Sequence, residues 1–544
     1  THRLRMTLLD GRLADRKQVS QLRRIDDWSA LTTTGDVAEM TAVPRDSEVW
    51  GKVTSTVDNC LGAECDDYAE CFVVKARRKA QEAEVVVVNH HLFFADLNVR
   101  GNQYGKVLPD YGAVIFDEAH LIEDIASDYF GFQTSSFQIE ELARDSDALP
   151  ITDAIVVRDL TKIAAKIIGF ADQFWARFGE GRGKEGRFPL LPNSFAKETR
   201  AGEVEPTPLG EAYFQLDEAL SRMETAVDLY SEKIAEAESL VRRIRQTRFD
   251  LEFIASQAER HYVYWLERRG RGVFLRASPI DVSEILKEKL FEKVETCVMT
   301  SATLSSNGKF KFIKERLGLH EGNSETLLAP SSFDYKKQAV VYLPPAMPEP
   351  RSPEFSQMAA GEIIKLLEIT EGRAFVLSTS FYSMNALYEL VSSRVNFPCF
   401  VQGSMSKAGL LDRYRETPNA VLFATSSFWQ GVDVRGDQLS CVIIDKLPFA
   451  VPSDPVVAAR SRYIDENGGK SFFEYSVPTA IISLKQGIGR LIRSKTDRGV
   501  IALLDSRLRT KSYGREFLNS LPKAPITTEL REVEEMFSEK SRAA

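Results

Sequence analysis

Short apolar stretches that end beside acidic or small polar residues recur along this chain, and segments with helical periodicity separate them. The clearest of these stretches occupy residues 84–88, 112–116, 295–300, 373–379, 420–424, 440–445 and 499–505. A continuous apolar run of this length is typical of a strand buried on both faces, as in a parallel sheet covered by helices. The sequence therefore predicts an α/β protein, with a second sheet-bearing unit from about residue 306 to the end.

Length and composition set broad limits. A chain of 544 residues exceeds the roughly 250–300 residues at which a single core stops growing, so we expect two or three domains. No apolar run approaches the roughly 20 residues that span a bilayer, and we expect no membrane partner. Six cysteines in so long a chain favour a reducing compartment, the cytoplasm. The net charge of −8 argues against a wholly basic nucleic-acid coat but allows a local basic groove.

Apolar residues alternate at spacings of three and four between Tyr213 and Ile244. Such a heptad seam predicts a long helix that packs against another in coiled-coil fashion. Residues 178–208 are rich in Gly, Pro and charge, which is typical of a loop. We therefore expect residues 131–270 to form a helical insertion rather than part of a sheet.

The sharpest local motif is Asp117-Glu118-Ala119-His120, which follows the predicted strand 113–116. At the carboxyl end of a strand in an α/β nucleotide hydrolase, Asp117 can hold Mg²⁺ and Glu118 can activate the attacking water. His120 can couple the nucleotide state to the rest of the protein. Taken alone, the motif is equally compatible with an acidic start of a helix, where the helix dipole favours carboxylates.

A second motif carries glutamine and arginine. Gln486, Arg490 and Arg493 follow one another at i, i+4 and i+7, so a helix would place them on one face. Two arginines there suit the charge that spreads over a γ-phosphate during its transfer. The alternative is a basic stripe on the surface.

Two further motifs end predicted strands. Gly431 and Asp433 lie in the sequence Ser-Phe-Trp-Gln-Gly-Val-Asp, where a glycine lets the backbone approach a phosphate or ribose; they are candidates for nucleotide binding. Ser301 and Thr303 supply two small hydroxyls that can relay between sites, and we assign them to the nucleic-acid interface. An ordinary strand–helix loop remains the alternative for the first motif, and the second is weak by itself.

Three cysteines cluster in a polar segment, namely Cys60, Cys65 and Cys71. Their thiolates can hold a metal centre, but cysteine ligation of a [4Fe–4S] cluster needs a fourth. A zinc site with His2 as the fourth ligand and a segment without metal are the competing interpretations. The remaining cysteines lie singly in apolar stretches and are expected to be buried thiols.

The order of these motifs along the chain resembles that of the superfamily 2 helicases, and the two insertions resemble the DinG/XPD family, its DinG branch in particular. The resemblance covers essentially the whole chain and includes Val87–Leu92, Ser278–Ile280 and Leu447–Phe449. It implies two RecA-like parallel-sheet motor domains, with an iron–sulfur insertion and a helical arch insertion in the first. It also implies ATP, Mg²⁺ and a [4Fe–4S] cluster as cofactors.

The same resemblance implies an ATP-dependent helicase that moves 5′→3′ on single-stranded DNA, opens duplex junctions in DNA repair or replication, and acts as a monomer. Lys75, Arg77 and Arg78 follow the cysteines on a predicted helix and are candidates for phosphate contact. The expected organisation is 1–50 and 51–83 for the iron–sulfur segment, 84–130 and 271–305 for the first motor domain, 131–270 for the arch, and 306–544 for the second motor domain.

Two features of the family do not occur in this sequence. No G-x-x-x-x-G-K-[ST] loop, which would hold the β and γ phosphates, is present, and the first cluster cysteine is missing. Because the chain opens with Thr1-His2-Arg3-Leu4, we expect it to begin just after that cysteine, with the loop encoded further upstream. The chain alone is then expected to be inactive as an ATPase. A non-enzymatic nucleic-acid scaffold and a DEAH-type RNA helicase remain the alternatives.

Overall fold

The computed structural model describes residues 2–10, 16–45, 47–55, 60–100, 107–179, 185–198, 204–320, 322–428, 434 and 436–543. The helices formed by these residues are α1 (His2–Asp10), α2 (Arg16–Ser29), α3 (Val49–Val53), α4 (Phe72–Glu82), α5 (His90–Val99), α6 (Ile122–Tyr129), α7 (Ser136–Asp147), α8 (Ala154–Ala176), α9 (Pro208–Asp228), α10 (Ala235–Ser256), α11 (Ser283–Leu286), α12 (Lys311–Leu317), α13 (Tyr335–Gln338), α14 (Phe355–Thr370), α15 (Phe381–Ser392), α16 (Lys407–Glu416), α17 (Pro455–Glu466), α18 (Val477–Ile488), α19 (Arg507–Thr510), α20 (Gly514–Ser520) and α21 (Leu530–Ala543).

Fifteen strands lie within the same described ranges. They are β1 (Ala113–Phe116), β2 (Phe132–Ser135), β3 (Gly186–Pro189), β4 (Ala196–Glu198), β5 (Val204–Pro206), β6 (Tyr262–Arg269), β7 (Gly272–Pro279), β8 (Thr296–Met299), β9 (Ala339–Tyr342), β10 (Ala374–Ser378), β11 (Cys399–Val401), β12 (Val421–Thr425), β13 (Cys441–Ile444), β14 (Gly499–Leu503) and β15 (Ile526–Thr527). No described helix combines the length and apolarity needed to cross a membrane.

The unit expected to be the second motor domain is built on a seven-stranded parallel sheet in the order β11-β12-β10-β13-β14-β9-β15. Strands β9, β10, β12, β13 and β14 are buried at every residue, which explains why they read as continuous apolar runs. One hydrophobic core covers each face of this sheet. The prediction of an α/β protein with a parallel sheet is confirmed here.

The unit expected to be the first motor domain carries a smaller sheet, in which β1 and β8 pair in parallel. Its core packs α5, α6, α11 and α12 around Phe116. The apolar run 85–88 was expected to be a strand, but it is not one, and the Val85 and Val87 side chains are 79% and 92% exposed. Valine propensity alone does not make a strand, because a strand needs a hydrogen-bonded partner.

The arch differs from its prediction in two ways. The heptad seam runs over two helices, not one, because α9 ends at Asp228 and α10 begins at Ala235, so that they pack as a hairpin. The seam residues nevertheless form the arch core, in which Leu216, Leu220 and Ile244 are fully buried. A helical hairpin keeps the apolar periodicity of both helices in phase, so the pattern did not reveal the turn.

The second difference is that the arch contains a sheet. Strands β2, β7, β6 and β3 form an antiparallel sheet in that order, and β4 pairs with β5. The expectation of a purely helical insertion is therefore wrong. The hairpin of β6 and β7 also crosses the predicted boundary at residue 270, and α12 packs in the first motor core beyond the predicted boundary at 305.

Candidate active site

The parallel pair β1 and β8 brings the acidic motif and the Ser-Ala-Thr motif to one edge of the first sheet. Phe116 lies opposite Met299, so Asp117 and Thr300 leave the sheet side by side. The Thr300 amide donates to the Phe116 carbonyl at 2.8 Å, and the Thr300 hydroxyl lies 3.3 Å from Asp117 Oδ1. The acid predicted to hold Mg²⁺ thus stands at the carboxyl end of its strand.

Glu118 has an unusual backbone conformation for a residue with a side chain, with φ at 48°. Its carboxylate accepts a hydrogen bond from the Ser301 hydroxyl at 2.8 Å, and its side chain is about half exposed. Strain of this kind persists only where surrounding contacts fix it, and it is frequent at active sites. The arrangement holds a carboxylate at the mouth of the cleft, next to Asp117.

His120 is the centre of a hydrogen-bond network between the two motor domains. Its Nδ1 lies 3.1 Å from the Ser301 hydroxyl and 3.3 Å from the Thr303 hydroxyl. Its Nε2 is hydrogen-bonded to the side-chain amide of Gln486, on α18 of the second domain. Burial lowers the pKa of His120, although the charge of Glu118 acts in the opposite direction. The imidazole is therefore neutral at pH 7. Its Nδ1 contacts the first domain and its Nε2 contacts the second.

Ser301 and Thr303 were assigned to the nucleic-acid interface, and the structure places both hydroxyls against the acidic motif. Thr303 is only 4% exposed, and its hydroxyl contacts Ser301 and His120. This position agrees with a relay between sites. Contact of either residue with nucleic acid stays a prediction.

The arginines of the second motif do not continue the helix that carries Gln486. Helix α18 ends at Ile488, and Gly489 caps it by donating its amide to the Lys485 carbonyl at 2.9 Å. Arg490 and Arg493 therefore lie beyond the helix, and the expectation of one shared helical face is wrong. Burial lowers the pKa of Lys407, and the charge of Arg490 lowers it further, so these two cations are neighbours.

The remaining predicted nucleotide residues, Gly431 and Asp433, lie outside the residues that the structure describes. The preceding strand β12 ends at Thr425, whose amide and hydroxyl both donate to the Gln402 side chain. The loop after β12 thus starts at the same edge of the second sheet as the ends of β10 and β13.

The cysteine segment precedes α4. Cys60 is exposed, Cys65 and Cys71 are half-buried, and Cys71 stands immediately before the helix. Within the described ranges no three histidine, cysteine or acidic side chains converge as a metal site, and the side chain of His2 is not described. An iron–sulfur cluster on these cysteines therefore stays a prediction.

The candidate nucleic-acid residues Lys75, Arg77 and Arg78 lie on α4, which has no buried residue. Lys75 forms an ion pair with Glu70 at 2.6 Å, and Arg77 and Arg78 are exposed to solvent. Their charges are available to a phosphate backbone.

Sequence reasoning missed a buried charge cluster formed by Glu123, Arg316 and Arg460. Glu123 lies six residues after the start of the acidic motif, but its two partners come from distant parts of the chain. No local pattern connects them, and only the fold brings them together.

Comparison with known proteins places the chain in a family. Residues 363–524 match the family model described as a helicase C-terminal domain. The chain is 39% identical to the ATP-dependent DNA helicase YoaA of Escherichia coli, over 94% of this chain and 78% of that protein. It is 31% identical to the ATP-dependent helicase DinG of Mycobacterium tuberculosis, over 96% of this chain and 76% of that protein.

Among solved structures, Xpd4 of S. tokodaii matches with a TM-score of 0.51 at 15% identity, covering 81% of each chain. That likeness concerns the fold, and it agrees with the parallel-sheet motor domains described above. The sequence identity to YoaA, which extends over most of both proteins, shows the family as well as the fold. The chain belongs to the DinG/XPD-type superfamily 2 helicases, as a relative of the ATP-dependent DNA helicases YoaA and DinG.

Proposed function

We propose that the complete protein is a monomeric motor that uses ATP and Mg²⁺ to translocate 5′→3′ on single-stranded DNA, opening duplex junctions in cytoplasmic DNA repair or replication. The observation that carries this proposal is the network through His120. It joins the acids at the end of β1 to Gln486 in the second domain, so a change at one side of the cleft reaches the other.

In this mechanism Asp117 holds Mg²⁺ and Glu118 orients and deprotonates the attacking water. Ser301 keeps the Glu118 carboxylate in place through a hydrogen bond. Neutral His120 contacts the same Ser301 hydroxyl, so a shift of Glu118 changes the contacts of His120. Gly431 and Asp433 contact the nucleotide from the second domain. Arg490 and Arg493 stabilise the charge that develops on the γ-phosphate, because a guanidinium matches the geometry of phosphate oxygens.

We further propose that this 544-residue chain alone hydrolyses no ATP, because it contains no phosphate-binding loop. Measurable DNA-stimulated hydrolysis by the chain alone would overturn this part of the proposal.

The test of the motor uses the complete protein with Glu118→Gln or Arg490→Ala. Each variant should lose at least about 100-fold in ATP hydrolysis, the scale of a lost catalytic group, and should keep its affinity for single-stranded DNA. Glu140→Gln, on an exposed position of α7, is the matched control and should hydrolyse ATP like the wild type. Equal loss of hydrolysis and DNA binding would show that Glu118 and Arg490 are structural.

Direction and substrate are tested by strand displacement. A duplex with a 5′ single-stranded DNA tail should be opened, and one with a 3′ tail or an all-RNA duplex should not. Opening of RNA alone would favour the RNA-helicase alternative, and opening of neither would favour a non-enzymatic scaffold.

We propose that α4 contacts the DNA backbone through Lys75, Arg77 and Arg78. Arg77→Ala should reduce the slope of log affinity against log salt concentration by about one counterion. Arg531→Ala, which removes an exposed arginine from α21, should leave the slope unchanged. Identical slopes for Arg77→Ala and the wild type would show that Arg77 on α4 does not contact the DNA backbone.

An iron–sulfur cluster on Cys60, Cys65 and Cys71 remains a proposal from the family resemblance. No step above depends on it. Iron and acid-labile sulfide in the purified complete protein would support it, zinc alone would favour the competing site, and the absence of all metal would remove it.

A further inference from the structure

A buried cluster of charges joins the helix after the acidic motif to a helix from the second half of the chain. Glu123, Arg316 and Arg460 are 7%, 7% and 3% exposed. Arg316 Nε donates to Glu123 Oε1 at 3.0 Å, and its Nη2 also contacts that carboxylate. Arg460 Nε lies 3.0 Å from the same oxygen as an ion pair, but at an angle that forms no hydrogen bond.

The cluster is compensated by polar neighbours. Arg460 Nη1 pairs with Asp124 at 2.7 Å, and its Nη2 donates to the Ser127 hydroxyl at 2.9 Å. The Tyr475 hydroxyl lies 3.4 Å from Arg460 Nη1. Burial raises the pKa of Glu123, but the charges of Arg460 and Arg316 outweigh burial, so its pKa lies below the ordinary value. Two arginines and two carboxylates thus leave the cluster neutral.

The cluster fixes α17 against the first half of the molecule. Glu123 lies on α6 and Arg316 on α12, both in the first motor core, whereas Arg460 lies on α17. Helix α17 also packs against β3 and β6 of the arch, where Arg187 pairs with Asp454 at 3.5 Å. No described residue of α17 belongs to the two cores of the second sheet.

Breaking this cluster during the cycle would be costly, because it would leave a buried charge without its partner. The segment before α17 is anchored to the second sheet, since Leu447 is buried in its core and donates its amide to Asp505, whereas residues 467–470 after the helix form no helix or strand. Gly468 there has a φ of +82°, a conformation that favours glycine. A movement of the second sheet would therefore reach α17 through this anchored segment rather than open the cluster.

We infer that Arg460 is a positioning residue that holds α17, a helix that also packs against the arch, to the acidic-motif helix, so that movement of the second sheet is converted into strand separation at the arch. The inference rests on the proposed function and adds a mechanical role for a residue outside the cleft. Arg460 contacts neither acid of the motif, so its loss should leave hydrolysis intact and reduce the work obtained from each ATP.

The test compares Arg460→Gln with the wild type in the complete protein, measuring DNA-stimulated ATP hydrolysis and base pairs opened per ATP. We expect hydrolysis to be retained within about threefold and base pairs per ATP to fall about tenfold. Arg460→Lys, which keeps the charge, should restore part of the coupling. Arg462→Gln, an exposed arginine on the same helix, should behave like the wild type.

The inference would be overturned if Arg460→Gln opened as many base pairs per ATP as the wild type, or if it lost hydrolysis and unwinding equally. If Arg460→Gln does not fold, the triple replacement Glu123→Leu, Arg316→Met and Arg460→Met removes the three buried charges and leaves only the exposed Asp124 carboxylate without its partner. A folded triple variant with an unchanged number of base pairs per ATP would overturn it equally. Wild-type protein that neither hydrolyses ATP nor unwinds DNA would instead refute the proposed function itself.

Discussion

Asp250 is a buried acid in the arch with little to stabilise its charge. It lies on α10, is 8% exposed, and accepts one hydrogen bond from the Gln246 amide at 2.8 Å. Burial raises the pKa of Asp250 to about 7, although the Gln246 hydrogen bond acts in the opposite direction. The folded arch therefore retains a proton that the unfolded chain releases at much lower pH.

This difference makes the stability of the arch depend on pH. Because the folded pKa is the higher one, the contribution is fully present below the ordinary value of 3.8 and is lost as pH rises towards about 7. Asp250→Asn keeps the hydrogen bond and removes the charge. It should therefore raise the free energy of unfolding of the arch at pH 8, by roughly 4 kcal/mol, and change it little at pH 4.

The measurement is the denaturant midpoint of the arch at both pH values. Glu252→Gln, an exposed acid on the same helix, is the control and should shift neither midpoint. A gain of equal size at pH 4 and pH 8 would show that ionisation of Asp250 is not the cause.

For single residues, the sequence predicts which side chains lie in the cleft better than it predicts the contacts between them. Asp117, Glu118 and His120 are contiguous, so their shared position at a strand end follows from the pattern. The contact of His120 with Ser301 and Thr303 requires the register of β1 and β8, which no local signal encodes. Arg460 was missed for the same physical reason, because its partners are distant in sequence.

Among the elements, the arch hairpin shows how charges join two helices. Arg248 on α10 contacts both carboxylate oxygens of Asp217 on α9, at 2.8 and 3.1 Å, and reaches Glu224 at 2.8 Å. A bidentate pair between elements is geometrically specific and only 30% of the Arg248 side chain is exposed. By contrast, Arg222 pairs with Glu218 within α9, and both side chains are largely exposed.

We predict that Arg248→Met destabilises the arch by about 1–2 kcal/mol, because the apolar stem is kept while two partners lose their cation. Arg222→Met should cost less than about 0.5 kcal/mol, as exposed pairs within a helix do. The two variants are compared by thermal unfolding of the arch. Equal losses of stability in the two variants would mean that the ion pairs between α9 and α10 stabilise the arch no more than the pair within α9.

The ends of elements were the least predictable feature at this scale. Spacing in sequence placed Gln486, Arg490 and Arg493 on one helical face, but α18 stops at Ile488. The seam from Tyr213 to Ile244 likewise continues through a turn. In both cases the periodicity is real and the backbone changes direction without a proline, so tertiary packing decided the boundary.

At the scale of the whole molecule, the buried residues form separate cores. The arch core and the two cores of the second sheet share no residue, and the first motor core is a fourth cluster. Four strands of the parallel sheet, β10, β12, β13 and β14, were predictable because they are almost wholly apolar, whereas β9, β11 and β15 were not predicted. The arch sheet was not, since half-exposed antiparallel strands such as β6 give a weaker signal.

Because the cores are separate, a cavity made in one core should destabilise only the elements around that core. Leu220 on α9 is fully buried in the arch core, and Leu366 on α14 is fully buried against the second sheet. Leu220→Ala should destabilise its surroundings by about 2–5 kcal/mol, through lost burial and a residual cavity. Amide hydrogen exchange should then accelerate in α8, α9 and α10 and stay unchanged in β10, β12 and β13.

Leu366→Ala is the reciprocal variant, with the same side chain removed at the same burial, and it should accelerate exchange around the second sheet while sparing the arch. The pair separates local from global effects, because a single cooperative unit would respond in the same way to both. Faster exchange throughout the molecule in either variant would contradict independent cores. It would mean that α17, fixed to the first motor domain by Arg460 and next to the arch at Asp454, transmits unfolding as well as motion.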